Sequence, residues 1–352
     1  MKIEEIDKNF KVDGQVTEPD VEWFDVRDGQ FDIYGLFDPL NSPRFCRLDP
    51  DIADNTSPGV SALNYHTSGG RIKFKTDSPY IALRAELKVE LMTHMPASGS
   101  SGFDVYTCNN GAYRYLCAFR PWDISADAFE WSRATNGNLN DYVINMPLYN
   151  HVDKLYIGIK KGSILEHGTP YKHAKPVLYY GSSITQGGCC SRPGTCYQAL
   201  ISRRFDTDYI NLGFSGNGKG EQIFVDYMAN LDVSAFVCDY DHNAPSEQHL
   251  LDTHLNLYKT FRAAHPDTPV IFVTAPNYYC KERIEIIKAT YDYAVANGDK
   301  NVSYLCGYDV IGDDCRDACF VDGIHPNDLG FYRMAKAIGD ELEVYLHKNA
   351  KK

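Results

Sequence analysis

Two rhythms of apolar residues divide the chain near residue 170. Before that point, apolar and polar positions alternate over short runs. Arg71-Ile72-Lys73-Phe74-Lys75-Thr76 has the period of two expected of a strand with one buried face. Tyr80–Leu87 follows it after an Asp-Ser-Pro turn. Phe103–Cys108 and Tyr113–Ala118 flank Asn109-Asn110-Gly111, a strong hairpin signal. Asp141–Met146 and Lys154–Ile159 complete the set. Many short strands punctuated by Gly, Pro, Asn and Asp predict a β-sandwich. Ser98-Gly99-Ser100-Ser101-Gly102 has the composition of an exposed loop.

After residue 170 the character changes, and strands alternate with longer segments of helical period. The strands are Pro176–Tyr180, Tyr209–Leu212, Ala235–Tyr240, Val270–Thr274 and Val302–Leu305. Glu247–Ala264 places Leu251, Leu255, Tyr258 and Phe261 near helical spacing. Arg283–Asn297 and Gly330–Leu346 also read as helices. Strand-helix alternation with short connections predicts a parallel sheet with helices on both faces. The predicted fold class is therefore α/β: an N-terminal, jelly-roll-like β-sandwich over 1–172, then a flavodoxin-like α/β/α domain over 173–352 with five parallel strands. Gly168–His173 is the expected linker.

Composition narrows the function. The 352 residues are 43% hydrophobic and 23% charged, ordinary for a globular protein. The formal net charge is -12, and Lys and Arg form no run before the last few residues. That excludes the basic footprint of nucleic-acid binding and disfavours anionic membrane surfaces. A neutral substrate suits it better. No apolar run approaches a membrane span, and the charged start Met1–Lys8 lacks the apolar core of a signal peptide. Those features point to a cytoplasmic protein. The 11 cysteines are then expected to be reduced. Neither Cys189-Cys190 nor Cys315-x-x-x-Cys319 has the spacing of a common zinc site, so no metal is expected. Nothing in the sequence marks Cys189 or Cys190 as an activated thiolate.

The chemistry gathers at strand ends. Val177–Tyr180 runs into Gly181-Ser182-Ser183-Ile184-Thr185-Gln186-Gly187-Gly188, which sets a hydroxyl in a glycine-flanked turn past a strand. Taken alone this is an ordinary loop. A serine needs a base oriented by a carboxylate. Val321-Asp322-Gly323-Ile324-His325-Pro326-Asn327-Asp328 offers both, three residues apart; it also reads as a helix-capping loop, through other side chains. Asn211–Gly218 supplies a glycine-rich turn and Asp239–Pro245 an amide. In a parallel sheet all four loops share one edge.

The order Gly-Ser-Ser-Ile-Thr, Asn-Leu-Gly-Phe-Ser-Gly-Asn, an Asn loop and Asp-Gly-Ile-His-Pro resembles the four blocks of the SGNH (GDSL-type) hydrolases, over about the last 175 residues. The resemblance implies Ser183 as nucleophile, His325 as general base and acid, and Asp322 as its orienting carboxylate. It implies an oxyanion hole of the Ser183 N–H, the Gly216 N–H and the Asn243 amide, with no cofactor. Two positions depart from the pattern. Ser182 replaces the acidic residue usually found before the nucleophile, and Asp241 replaces a glycine two before Asn243.

Arg192, Glu221 and His242 are candidate substrate contacts; a surface ion pair is the ordinary role of the first two. Trp122, Trp131, Tyr113 and Tyr115 could stack on sugars, although aromatic residues of a sandwich more often pack in its core. The sandwich-first layout is similar to that of several carbohydrate esterases. The expected activity is removal of small acyl groups, acetyl above all, from carbohydrates, with an acetylated oligosaccharide or other small ester as the partner. A lipid or thioester acyl hydrolase or acyltransferase would use the same site. A non-catalytic glycan-binding protein is a third reading. The sequence leaves oligomeric state open.

Overall fold

The computed structural model describes residue 6 and residues 16–349. Two antiparallel sheets come first. One orders β1 (Val21–Asp25), β9 (Lys154–Lys160), β4 (Tyr80–Glu86) and β7 (Ala128–Ala134). The other orders β10 (Leu165–His167), β3 (Arg71–Thr76), β8 (Asn140–Asn145), β5 (Phe103–Asn109) and β6 (Ala112–Phe119), with β2 (Asp32–Tyr34) also paired to β3. Ile72, Phe74, Phe103, Val105 and Ile144 of the second sheet meet Ile81, Leu83, Phe129 and Ile157 of the first in one core. Each such side chain stabilises the fold by roughly 1.5–3 kcal/mol. The hairpin between β5 and β6 turns at Asn110 and Gly111, both left-handed, at φ 52° and 76°. That is the conformation an Asn-Gly pair tolerates best.

The outer face of β3 is not in water, contrary to its alternation. Arg71 and Lys73 are each 1% exposed. The Arg71 guanidinium lies 3.7 Å from the centre of the Tyr209 ring and donates to Asp208; the Lys73 ammonium lies 3.9 Å from that of Tyr171. Cations are favoured over aromatic faces, so these polar positions join the sandwich to the α/β half.

The Ser98–Gly102 stretch also differs from expectation. Ala97–Ser100 forms a helical turn with Gly99 and Ser100 buried. The N–H groups of Leu148 and Tyr149 donate to the carbonyls of Gly99 and Ser100 at 3.2 and 3.1 Å, which holds the turn inside. Trp131 packs partly against the sandwich core, whereas Trp122 is 44% and Tyr115 51% exposed. Strands β1, β2, β7 and β10 lacked a clear pattern. Helices Pro50–Thr56 and Pro58–Leu63 are capped by Asp49 and Ser57, and their Asp-Pro and Ser-Pro starts are the signal for them.

The α/β half has five parallel strands: β11 (His173–Gly181), β12 (Thr207–Gly213), β13 (Ala235–Asp239), β14 (Val270–Val273) and β15 (Val302–Leu305). Their spatial order is β12-β11-β13-β14-β15, the flavodoxin-like arrangement. Side chains alternate into two cores: Leu178, Tyr180, Phe236 and Cys238 on one face, Val177, Tyr179, Val237 and Ile271 on the other. Helices Glu247–Ala264, Lys281–Ala296 and Asp328–Asn349 fall where the periodicity put them. Tyr197–Phe205 and Gln222–Ala229 are further helices. Among the described residues no helix is long and apolar enough to cross a membrane.

Candidate active site

β11 ends at Gly181, where chain order reverses across the sheet. A Cβ at Gly181 would lie 1.7 Å from Asp239 Oδ1 and 2.1 Å from Thr185 Oγ1, so only glycine lets the turn close. Ser182 caps the short helix Ser183–Gln186: its Oγ accepts from the Ile184 N–H at 3.1 Å, and the Ser182 N–H donates to Thr185 Oγ1 at 3.1 Å. This reciprocal capping box fixes Ser183 at the first helical position. The Ser183 carbonyl accepts from Gly187, Gly188 and the Tyr149 hydroxyl, the last at 3.0 Å.

The Asp322–His325 loop reaches the same place. His325 Nδ1 lies 2.8 Å from Asp322 Oδ2 and Nε2 lies 2.9 Å from Ser183 Oγ. An ionised carboxylate can only accept, so the Nδ1 proton points to Asp322 and Nε2 is left to accept from the serine hydroxyl. Asp322 Oδ1 accepts the N–H groups of Ile324 and His325 at 3.0 and 2.8 Å. Burial pushes the Asp322 carboxyl up, but those donors and the His325 ring outweigh it and bring it down to about 2. The helix-capping role falls to Asn327, whose Oδ1 accepts from the Leu329 N–H at 3.0 Å.

One carbonyl ties Asn243 to the turn that carries Gly216. Phe214 O accepts from Asn243 Nδ2 at 2.9 Å and from the N–H groups of Asn217 and Gly218 at 2.9 and 3.2 Å. Gly216 is exposed on that turn at φ 67°, with open space where a side chain would be. The Asn243 amide has a second hydrogen beyond the one given to Phe214. Gln186 supports the turn from below, accepting from the Ser215 N–H at 3.0 Å and donating to Leu148 O at 3.1 Å. Arg47, fully buried, donates to Leu63 O at 2.8 Å, Gly213 O at 2.5 Å and Asn211 O at 3.2 Å. It arrives from the N-terminal half, and spacing alone gave no sign of it.

A buried carboxyl lies beside the serine turn. Asp239, at the end of β13 and paired with Gly181, accepts from the Thr185 hydroxyl and from Tyr197 Oη, the latter at 3.0 Å. Burial pushes this carboxyl up to about 8 in spite of those donors. Asp241 is also buried, and its Oδ2 accepts from the Ala275 N–H at 2.9 Å. That bond anchors the Asn243 turn where a glycine was expected.

The three suggested substrate contacts have partners within the protein. Arg192 donates to the buried Asp104 at 2.5 Å and to Tyr106, tying the turn after Cys190 to β5. Glu221 accepts from the Lys219 N–H at 3.0 Å and from the Tyr180 hydroxyl at 3.5 Å. His242 Nε2 lies 2.6 Å from Asn277 Oδ1, and Asn277 donates to Gly323 O at 3.1 Å, a link between the Asn243 and His325 loops. All eleven cysteines are free thiols. Burial and then the Asp322 charge push the Cys189 thiol up to about 12, the opposite of an activated nucleophile.

Residues 174–343 match the model of the GDSL-like Lipase/Acylhydrolase family, and residues 21–165 match the N-terminus of Esterase_SGNH_hydro-type. No curated protein matches the sequence. Among solved structures, a candidate GDSL-like lipase from Bacteroides ovatus ATCC 8483 is 28% identical over 92% of this chain and 98% of its own, with a TM-score of 0.80. The salicylyl-acyltransferase SsfX3 from a tetracycline biosynthetic pathway is 19% identical over 93% of this chain and 98% of its own, at 0.77. A family two carbohydrate esterase from Clostridium thermocellum, in complex with cellohexaose, is 12% identical over 90% of this chain and 99% of its own, at 0.61. The last two likenesses are of fold.

Proposed function

From the premise that residues 174–343 belong to the GDSL-like lipase/acylhydrolase family, we propose that the protein is a serine esterase that removes small acyl groups, acetyl above all, from carbohydrate hydroxyls. The observation that carries this reading is the single ring of His325, hydrogen-bonded on one side to Ser183 and on the other to Asp322.

In this mechanism Ser183 Oγ attacks the ester carbonyl while its proton passes to His325 Nε2. Asp322 holds the ring in the required tautomer and steadies the imidazolium. The carbonyl oxygen becomes an oxyanion, which takes hydrogen bonds from the Ser183 N–H, the Gly216 N–H and the Asn243 amide. The tetrahedral intermediate collapses as the C–O bond to the sugar breaks, and the sugar oxygen leaves with the proton from His325. Water, deprotonated by the same ring, then attacks the acyl-enzyme and releases the acid.

The net charge of -12 favours a neutral substrate. The sandwich, residues 1–172 in this proposal, helps to shape the site: Tyr149 donates to the Ser183 carbonyl, and the His66 ring stands 6.0 Å from that of Tyr149. A separate cavity of about 640 Å³ on the sandwich, lined by Thr107, Arg114, Leu116 and Asn136 among others, is a second place where a glycan could rest. Ser183→Ala tested on an aryl acetate and on acetylated oligosaccharides checks the reaction; full retained activity would refute it. Hydrolysis of a C2 to C12 ester series checks the acyl group, and a preference above C6 would favour a lipid acylhydrolase instead.

A further inference from the structure

His94, Cys189, Asp322 and His325 each offer a ligand atom, and these four atoms all lie within 4.8 Å of one another. We propose that they form a binding site for one divalent transition-metal ion, Zn²⁺ by donor chemistry, whose occupancy switches the enzyme off. The inhibitory part rests on the esterase reading above; the binding part does not.

The four residues come from three separated segments. Asp322 and His325 share the loop before the last helix. Cys189 follows the serine turn. His94 is brought from the sandwich, at the tip of a turn closed by a bridge between Met92 and Met95. Met95 is buried and Met92 packs against the core beneath the sheet, so the tip is held at both sides. The rings of His94 and His325 are 5.5 Å apart.

Imidazole, thiolate and carboxylate are all zinc donors, and four protein donors suffice to close a tetrahedral site. Bond lengths of about 2.0–2.3 Å put tetrahedral ligand atoms some 3.3–3.8 Å apart. From a spread of 4.8 Å the side chains need to draw in by about 1 Å, a matter of rotamer adjustment. Cys189 bears on this too. It stands at φ 72°, in the left-handed region that favours glycine, and is 4% exposed. Its sulfur has no hydrogen-bond partner among the described residues. The fold carries a thiol where a glycine would cost about 1 kcal/mol less.

Inhibition follows from the hydrogen bonds of His325. Nδ1 is engaged by Asp322 and Nε2 by Ser183. A metal on either nitrogen removes one of the two, so the serine loses its base or the base loses its orienting carboxylate. Coordination of Asp322 has the second effect as well.

The test uses the full chain, stripped with EDTA and then dialysed against buffered Zn²⁺ or Co²⁺. The expected result is one ion per chain and, with Co²⁺, a thiolate-to-metal charge-transfer band. Cys189→Ser should abolish that band, and both it and His94→Gln should weaken Zn²⁺ binding about tenfold or more. In metal-free buffer both variants should hydrolyse an aryl acetate at the parent rate, yet lose sensitivity to Zn²⁺. The parent should be inhibited with the midpoint of binding and recover on chelation. No stoichiometric binding, or binding unchanged by both substitutions, would overturn the site. Binding without inhibition would overturn the switch. Cysteine-dependent binding by a metal-free protein that hydrolyses no ester would uphold the site and count against the esterase reading alone.

Discussion

Thr185 gives its hydroxyl proton to the buried carboxyl of Asp239, one strand over from the serine turn. The same oxygen accepts the Ser182 N–H. One side chain therefore joins the cap of the serine helix to the neighbouring strand. Thr185→Val keeps the shape and removes both bonds, leaving the buried Asp239 carboxyl to the Tyr197 hydroxyl and the Ser182 N–H. The expected loss is about 2–4 kcal/mol of stability, read by denaturant unfolding. An unchanged midpoint would show that the bond to Asp239 contributes nothing.

Asp239 also sets a pH dependence. Its folded-state value is about 8, against 3.8 for the free side chain. Between these values the folded chain keeps a proton that the unfolded chain has released, so stability falls as pH rises from about 4 to about 8 and levels off above. Asp239→Asn cannot ionise and should flatten that slope while lowering Tm at pH 5. Melting curves of both proteins from pH 4 to 9 measure it.

Gly188 faces the groups proposed to react. A Cβ there would lie 3.1 Å from His325 Cδ2, Ser183 O and Tyr149 Oη alike. Gly188→Ala should displace the ring by a few tenths of an ångström and lower kcat roughly tenfold, with KM and Tm little changed. Steady-state kinetics on an aryl acetate give the split.

Asn243→Ala removes one proposed oxyanion donor. Phe214 O keeps its bonds from Asn217 and Gly218, so the turn should survive. The expected cost is about 10²–10³ in kcat, with the unfolding midpoint nearly unchanged.

Arg47 is a different case. It is fully buried against three carbonyls and lies over the Phe214 ring at 4.2 Å. Arg47→Met fills the space but takes a donor from each of those carbonyls, of which Leu63 O keeps the His66 N–H. Stability should fall by about 2–4 kcal/mol, as read by denaturant unfolding, and kcat should fall with it because Gly213 leads into the Gly216 turn.

The parallel sheet was legible because short, largely apolar strands alternate with segments of helical period. The serine and histidine loops were legible because glycine, proline and short spacing constrain them locally. What the sequence hid is long-range. Arg47 meets Gly213 across 166 positions, and Arg71 meets Asp208 across 137. A polar residue in an alternating strand looks the same whether it faces water or a second domain. Asp239 was hidden for a related reason: it meets Thr185 across 54 positions. Ser98–Gly102 is buried from Gly99 on, not exposed, because small residues suit a tight buried turn as well as an exposed loop.

The role of Ser183 can be tested most directly by trapping the acyl-enzyme. The protein is mixed with an aryl acetate, quenched in acid, digested and mapped by mass spectrometry. One acetyl group on Ser183, absent in Ser183→Ala together with the hydrolytic activity, is the expected result. An acetyl group on Cys189, or turnover retained in Ser183→Ala, would contradict it.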